Sequence, residues 1–195
     1  MRFMFELLFQ NITKKVSLTE EEKQLIQTFF IPKKLRKKQY LLQEGDPCKY
    51  TAYVNKGMLR SYTVDDKGSE HTIQFALEDW WIADIYSFLT GEPSTCNIDA
   101  LEDAELLLIT KAAQDEMVLQ IPKMERYLRL LMQNNLIAMQ RRLIGSLNYT
   151  AEDKYLQLIA LCPTIIQRVP QHYIASYLGI TPETLSRIRR QMAFR

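Results

Sequence analysis

The twenty residues from 171 to 190 carry the pattern that most restricts what this chain can fold into. A helix-turn-helix needs a small residue where its helices cross and a glycine in the left-handed turn, supplied here by Ala175 and Gly179. Thr181 is placed to cap the second helix, with Pro182 at its first position. The hydrophobic residues expected between the helices are Ile174, Leu178, Ile180, Leu185 and Ile188. The pattern therefore predicts a helix-turn-helix rather than an ordinary helical hairpin.

The outward face of the predicted second helix is polar and basic. Arg187 can donate two hydrogen bonds to a guanine edge, and Glu183 can accept one from cytosine. Ser186 shares that face, and Arg189 and Arg190 can reach backbone phosphates. A merely solvated charged face is the alternative, but this helix has little acid to balance its arginines. The segment thus predicts contact with double-stranded DNA.

The charge of the chain is unevenly distributed. Residues 1–110 hold 13 Lys and Arg against 17 Asp and Glu, whereas residues 111–195 hold 12 against 6. A basic second half is expected where only that half meets a polyanion, although an excess of this size can arise by chance.

Composition excludes several other classes of protein. Hydrophobic residues make up 47% of the chain, enough for packed cores, and no apolar run approaches the roughly 20 residues of a membrane helix. Glu6 interrupts the apolar N-terminus, which we interpret as a docking helix and not a signal peptide. We expect a soluble cytoplasmic protein that does not engage membranes.

Metal and catalytic chemistry have little support in the sequence. Cys48, Cys96 and Cys162 lie far apart, and the only histidines are His71 and His172, so no metal site is predicted. Three structural thiols in a reducing compartment are the simpler interpretation. The sequence also lacks paired carboxylates at a plausible site, a Ser/His/Asp grouping and a glycine-rich phosphate loop, so we expect no enzyme.

Residues 35–109 have the period-two pattern of short strands separated by turn residues. Such spacing indicates a β-sandwich or barrel. A capping signature at Ser17 or Thr19 predicts a helix before it, which Pro32 should end. The basic run over residues 33–38 is interpreted as a solvated face that protects a sheet edge.

Residues 112–147 have a helical pattern, with Pro122 suited to a first turn. Apolar and small residues recur there at steps of three and four, and we predict a dimer seam on that stripe. The seam comprises Leu128, Leu131, Asn135 and Ala138, continuing to Arg142 and Gly145. A second stripe holds Leu130, Ile137, Ile144 and Leu147. One stripe can pack on the barrel and the other on a partner chain, the alternative being a helix wrapped wholly by its own chain.

A hinge is predicted after the long helix, at residues 148–153, where Thr150 can cap a further helix that Pro163 stops. The whole order is therefore barrel, long helix, hinge and helix-turn-helix.

In this order, and in the run from Leu178 to Arg187, the chain resembles the bacterial cyclic-AMP receptor protein/fumarate–nitrate reduction regulator (Crp/Fnr) family. The resemblance implies an α+β fold: a cyclic-nucleotide-binding-like β-barrel (a double-stranded β-helix, or jelly roll), a long dimerisation helix and a C-terminal helix-turn-helix. The expected domains are residues 1–111, 112–148 and 149–195.

The Glu-Thr-x-Ser-Arg form of the recognition segment is closer to the fumarate–nitrate branch of the family. The resemblance implies base contacts by Glu183, Ser186 and Arg187. Pro182 falls where the cyclic-AMP branch has a base-reading arginine, so that contact is absent. Contacts with the DNA backbone are expected from Thr181, Thr184, Arg189 and Arg190.

The sensor half departs from the family pattern. The family's Gly-Glu pair for ribose falls at Ala83 and Asp84, and its phosphate-binding Arg-Ser/Thr-Ala trio at Ser94, Thr95 and Cys96. A phosphate buried without the guanidinium would lack its cation, so we predict no cyclic-AMP binding. The candidate effector pocket comprises Trp81, Ala83, Asp84, Ser94, Thr95 and Cys96.

The effector itself stays unidentified, and no cofactor is assigned. Residues 1–47 hold no cysteine, which argues against the iron–sulfur cluster of the fumarate–nitrate branch. Haem ligation by Cys96 or His71 stays open, although one residue is not a motif. The aromatic side chains near residues 80–88 either line a pocket for a mostly apolar ligand or fill the barrel.

The expected function is that of a homodimeric, sequence-specific transcription regulator with double-stranded DNA and RNA polymerase as partners. The family's two strands after the recognition helix have no room in residues 191–195, so a wing would have to come from residues 164–169. The alternative is a small-molecule or cyclic-nucleotide sensor whose helix-turn-helix docks protein instead of DNA.

Overall fold

The computed structural model describes residues 2–193. The chain forms two compact units, one of residues 1–63 and 74–132 and the other of residues 64–73 and 133–195. Apart from one short helix at Ile85–Thr90, the helices come before and after the strands in the chain, so the predicted α+β class is confirmed. The predicted domain boundaries at residues 111 and 148 stay predictions.

The first unit begins with helices. A 3₁₀ turn at Arg2–Phe5 leads into α1 (Glu6–Thr13), and α2 follows at Glu20–Phe29. Thr19 caps α2 in a capping box with Glu22, which selects Thr19 over Ser17 as the cap. Pro32, expected to end this helix, lies one residue inside an edge strand, where a missing N–H is tolerated.

Within residues 2–193, eight strands form two four-stranded sheets. One sheet has the order β1-β8-β3-β6 and the other β2-β7-β4-β5. The strands are β1 (Ile31–Leu35), β2 (Tyr40–Leu42), β3 (Tyr50–Lys56), β4 (Leu59–Val64), β5 (Glu70–Ala76), β6 (Trp81–Ile82), β7 (Asn97–Ala100) and β8 (Ala104–Thr110). A short helix, α3 (Ile85–Thr90), lies between β6 and β7. The predicted jelly-roll barrel is confirmed, and the basic run at residues 33–38 includes most of edge strand β1.

Alternation along the strands produces two cores. Ala52 and Val54 join the cluster of residues that both sheets contribute, whereas Tyr53 between them joins a second cluster. That second cluster also holds α1, α2 and the start of the helices after β8. Because successive strand residues point to opposite faces, the first sheet is covered on both sides. This explains why β8 reads as a continuous hydrophobic run.

The helical segment after the barrel is two helices rather than one. Helix α4 covers Lys111–Gln120 and α5 covers Lys123–Asn148. Ile121 leaves the helical conformation, with φ −130° and ψ 80°, because a residue that precedes proline is restricted from it. Pro122 then opens the turn from which α5 begins, since its carbonyl accepts from the Glu125 amide.

The residues of the predicted seam on α5 lie in different surroundings, and the dimer interface stays a prediction. Leu128 and Leu131 of the predicted seam are partly buried against the chain's own second cluster, and Asn135 and Ala138 are exposed. The exposed apolar side chains lie on a neighbouring stripe, roughly a quarter turn around the helix. This exposed stripe comprises Met132, Leu136, Met139, Leu143 and Leu147, and Ile137 and Ile144 of the second predicted stripe are exposed beside it.

The second unit contains the remaining helices: α6 (Ala151–Leu161), α7 (Ile165–Arg168), α8 (Gln171–Leu178) and α9 (Pro182–Ala193). Thr150 caps α6 as predicted, in a capping box with Asp153. The conditional prediction of a wing at residues 164–169 is wrong, because these residues form the helical turn α7, closed by the bond from the Val169 amide to the Ile165 carbonyl. Across residues 2–193, no helix is long and apolar enough to cross a membrane.

Candidate nucleic-acid interface

Helices α8 and α9 form the predicted helix-turn-helix. Gly179 ends α8 in the left-handed conformation, with φ 67°, and its amide donates to the Ser176 carbonyl. Ala175 is fully buried where the two helices meet. The packed residues between them are Ile174, Leu178, Leu185 and Ile188, with Ile180 half-buried. Four of the five apolar residues that the sequence identified are therefore buried, as a shared core requires.

The recognition helix α9 presents its polar side chains to solvent. Glu183, Ser186, Arg187 and Arg190 are exposed and together line one shallow surface. The Thr181 hydroxyl accepts a hydrogen bond from the Thr184 amide at 3.2 Å, which fixes the start of the helix. Its opposite face is buried. The three predicted base-reading side chains are thus brought together on one accessible face.

The residues predicted to contact phosphates lie around that face. Thr181 is exposed, Thr184 and Arg189 are half-buried, and Thr181 Oγ1 donates to Thr184 Oγ1 at 3.2 Å. Glu183 is the one acidic residue of α9, against three arginines. Such an excess of fixed positive charge favours a polyanionic partner.

In the barrel, Asp84 and Ser94 bond to each other. Ser94 is buried, and its hydroxyl donates to Asp84 Oδ2 at 2.7 Å. The other oxygen, Asp84 Oδ1, accepts from the Ser87 amide at 3.2 Å and so caps α3. The Cys96 amide donates to Ser94 Oγ at 3.1 Å. Both carboxylate oxygens of Asp84 therefore have hydrogen-bond partners within the protein. Ser94 contributes a hydroxyl at the position where the family resemblance implies an arginine.

The other predicted pocket residues lie in different surroundings. Ala83 packs against the core between the sheets, whereas the Trp81 ring belongs to the second cluster and donates to Tyr127 Oη at 3.1 Å. Trp81 therefore faces away from the core between the sheets, on the side of β6 opposite to its strand neighbour Ile82. Thr95 is exposed to solvent.

The cysteines of the barrel are buried thiols. Burial raises the pKa of the Cys96 thiol and also that of Cys48, which keeps both protonated at neutral pH. His71, the other candidate haem ligand, bonds through Nε2 to Asp65 at 2.9 Å. Within residues 2–193, no three His, Cys, Asp or Glu side chains are grouped so that they could hold a metal ion.

Sequence reasoning missed two polar side chains beside the helix-turn-helix. Ser176 of α8 and Arg142 of α5 bond to the backbone of the β4–β5 hairpin at residues 70–73. We had placed Arg142 in the dimer seam and had given Ser176 no role. The available signal was Ser176 itself, a hydroxyl one residue after the buried Ala175.

Comparison with known proteins identifies both halves. The family model described as "Cyclic nucleotide-binding domain" matches residues 32–120. The chain is 27% identical over 186 residues to the fumarate and nitrate reduction regulatory protein of Vibrio cholerae, covering 88% of this chain and 73% of that protein. It is 26% identical over 165 residues to the transcriptional activator protein anr of Pseudomonas aeruginosa, covering 79% of this chain and 67% of the relative.

Solved structures share the fold. FixK2 from Bradyrhizobium japonicum matches with a TM-score of 0.72 at 19% identity, over 85% of each chain. A regulator described as belonging to the crp/fnr family, from Eubacterium rectale, matches with a TM-score of 0.67 at 19% identity, over 91% of this chain and 84% of that one. The resemblance found in the recognition segment is therefore confirmed. The chain is thus similar in sequence to transcription regulators of the fumarate–nitrate type, and similar in fold to regulators of the Crp/Fnr family.

Proposed function

We propose that the chain acts as a homodimer that binds double-stranded DNA in a sequence-specific manner through α9. The observation that carries this proposal is the exposed polar face of α9 opposite a fully packed core. Arg187 would donate to guanine O6 and N7, Glu183 would accept from cytosine N4, and Ser186 would contact a neighbouring base. Thr181, Thr184, Arg189 and Arg190 would hold the backbone phosphates.

The exposed stripe on α5 supports pairing with a second copy. Leu136 and Leu143 are 67% and 62% exposed, and their spacing with Met132 and Met139 alternates between four and three residues. A 4-3 alternation of apolar residues is the repeat of a coiled coil. A dimer through this stripe would place two recognition helices on half-sites about one helical turn apart, roughly 34–36 Å.

The barrel would bias DNA affinity when an effector or partner engages it. Its effector would be chemically unlike a cyclic nucleotide, because Asp84 and Ser94 are hydrogen-bonded to each other. We also propose RNA polymerase as a partner, because it is the enzyme whose activity a transcription regulator controls.

Selection of bound sequences from random duplex DNA with the purified protein tests the proposal. The expected result is a two-fold symmetric consensus whose affinity falls steeply as salt rises, because phosphate contacts release counterions. A protein whose helix-turn-helix docks another protein would enrich no sequence and would lack that salt dependence. This outcome would favour the alternative function.

A further inference from the structure

The β4–β5 hairpin, residues 64–73, lies against α8 and the second half of α5 within one compact unit. Its β5 strand is at the edge of its sheet, so one row of β5 backbone groups has no neighbouring strand. Two side chains from the helices bond to backbone groups of β5. They are Ser176 of α8 and Arg142 of α5.

Ser176 bonds to the hairpin in the way a neighbouring strand would. Its hydroxyl donates to the Glu70 carbonyl at 2.8 Å and accepts from the Thr72 amide at 2.9 Å. The carbonyl of one strand residue and the amide two residues later point to the same side of a strand. One hydroxyl therefore satisfies both groups, and it can do so only while α8 stays beside β5.

Arg142 holds the same strand from the long helix. Its guanidinium donates to the carbonyls of Thr72, at 3.2 Å, and of Ile73. It also donates to the Tyr177 carbonyl at 3.4 Å and stacks on the Tyr177 ring, with 4.2 Å from Cζ to the ring centroid. Arg142 thus ties α5, α8 and β5 together, which a flexible point charge such as lysine could not reproduce.

We propose that Ser176 and Arg142 form a hairpin latch that positions the helix-turn-helix for DNA binding, an inference that rests on the proposed function. The latch leaves the recognition face free, since Glu183, Ser186 and Arg187 are exposed. It restricts the orientations of α8 and hence of α9. When the orientation of α9 in each protomer is restricted before binding, the effective concentration of the second α9 at the second half-site rises.

The latch joins backbone groups of the hairpin to side chains of the helices. Its strength therefore depends on the position of the β5 backbone relative to Ser176 and Arg142. The same strand continues into residues 74–76, which belong to the other compact unit. A shift of β5 along its length would move the Glu70 carbonyl and the Thr72 amide away from Ser176.

The experiment compares Ser176→Ala and Arg142→Ala with Arg141→Ala, which removes the same charge at an exposed neighbouring position on α5. Each variant is titrated with two duplexes: a two-half-site sequence that the unsubstituted protein selects, and that sequence with one half scrambled. We expect both latch variants to bind the two-half-site duplex about tenfold more weakly. Their affinity for the half-site duplex should be unchanged, because only binding by two recognition helices at once depends on the orientation of α9. Arg141→Ala should lose less than twofold.

Amide hydrogen exchange provides the second readout. The Thr72 amide should exchange at least about tenfold faster in Ser176→Ala than in the unsubstituted protein, since its acceptor is gone. Ser176→Thr, which keeps a hydroxyl, should restore slow exchange and affinity, and the thermal midpoints of all variants identify any that fail to fold.

Equal losses on both duplexes, or unchanged Thr72 exchange, would overturn the latch. If the unsubstituted protein selects no duplex, the proposed function fails, and Thr72 exchange still reports whether Ser176 holds the hairpin. The two failures are therefore distinguishable.

Discussion

The Ser94 hydroxyl donates to the Asp84 carboxylate, with 2.7 Å between Ser94 Oγ and Asp84 Oδ2. Ser94 is the position where the family resemblance places a guanidinium for phosphate, and Asp84 is where it places a ribose-binding carboxylate. In this chain the two side chains satisfy each other. A cyclic nucleotide would have to break that bond, and its phosphate would meet the Ser94 hydroxyl where the resemblance expects a guanidinium.

We therefore expect no specific binding of cyclic AMP or cyclic GMP at physiological concentrations, and DNA binding that requires neither nucleotide. Titration calorimetry with both nucleotides checks this. Saturable heat at micromolar concentrations that disappears in Asp84→Ala or Thr95→Ala would contradict the prediction. It would mean that the barrel holds phosphate through other groups.

Arg187→Ala should weaken binding to the selected DNA by about 1–3 kcal/mol and relax the preference at one G·C pair. The reason is the loss of a two-pronged hydrogen bond to guanine. Arg190→Ala is the comparison, because a phosphate contact should weaken all sequences alike and lower the salt dependence. Competition binding against a panel of single-base changes measures both effects. Unchanged base preference in Arg187→Ala would contradict the assignment.

Leu136→Glu should convert the dimer to a monomer, since it places charges in the centre of the exposed stripe on α5. The fold of the barrel should persist, because Leu136 has no role in either packed cluster. Leu131→Glu should act differently and destabilise the chain itself, as Leu131 packs against its own core. Light scattering and thermal unfolding separate the two effects. A dimer that survives Leu136→Glu would place the interface elsewhere.

Thr72→Val should stabilise the chain against urea by about 1 kcal/mol. Thr72 is buried in the hairpin, and its Oγ1 has no hydrogen-bond partner in the described structure. A buried hydroxyl without a partner costs about 1–3 kcal/mol of desolvation, whereas valine keeps the shape and the preference for a strand. The latch should be unaffected, because it uses the backbone of Thr72. Lower stability in Thr72→Val would indicate that the hydroxyl has a partner in solution.

Much of this protein follows from the sequence because the relevant signals are local. Gly179 must adopt a left-handed conformation, Thr181 must cap, and the apolar residues at 174, 178, 185 and 188 fall on inner faces by helical spacing. The strands of the barrel follow for the same reason, since a period of two needs only neighbouring residues. These signals identified the fold and the recognition face.

Only the tertiary structure decided which groups face one another. Arg60 follows the apolar Leu59 in a strand, and such alternation alone predicts that its charged side chain is exposed to solvent. It is nevertheless 2% exposed, with Nε 2.9 Å from Asp99 Oδ1 on the neighbouring strand. The pairing of β4 with β7 places them together across 39 residues of sequence, which local spacing cannot encode.

The same limit applies to the surroundings of α5 and of Trp81. Helical spacing gave α5 two apolar stripes, but the stripe that packs inward depends on the cluster it meets, and Leu128 and Leu131 meet their own barrel. Trp81 lies three residues before Asp84 in the sequence, but its side chain packs in the second cluster, on the side of β6 opposite to Ile82. Periodicity determines which residues share a face, and only packing determines what that face contacts.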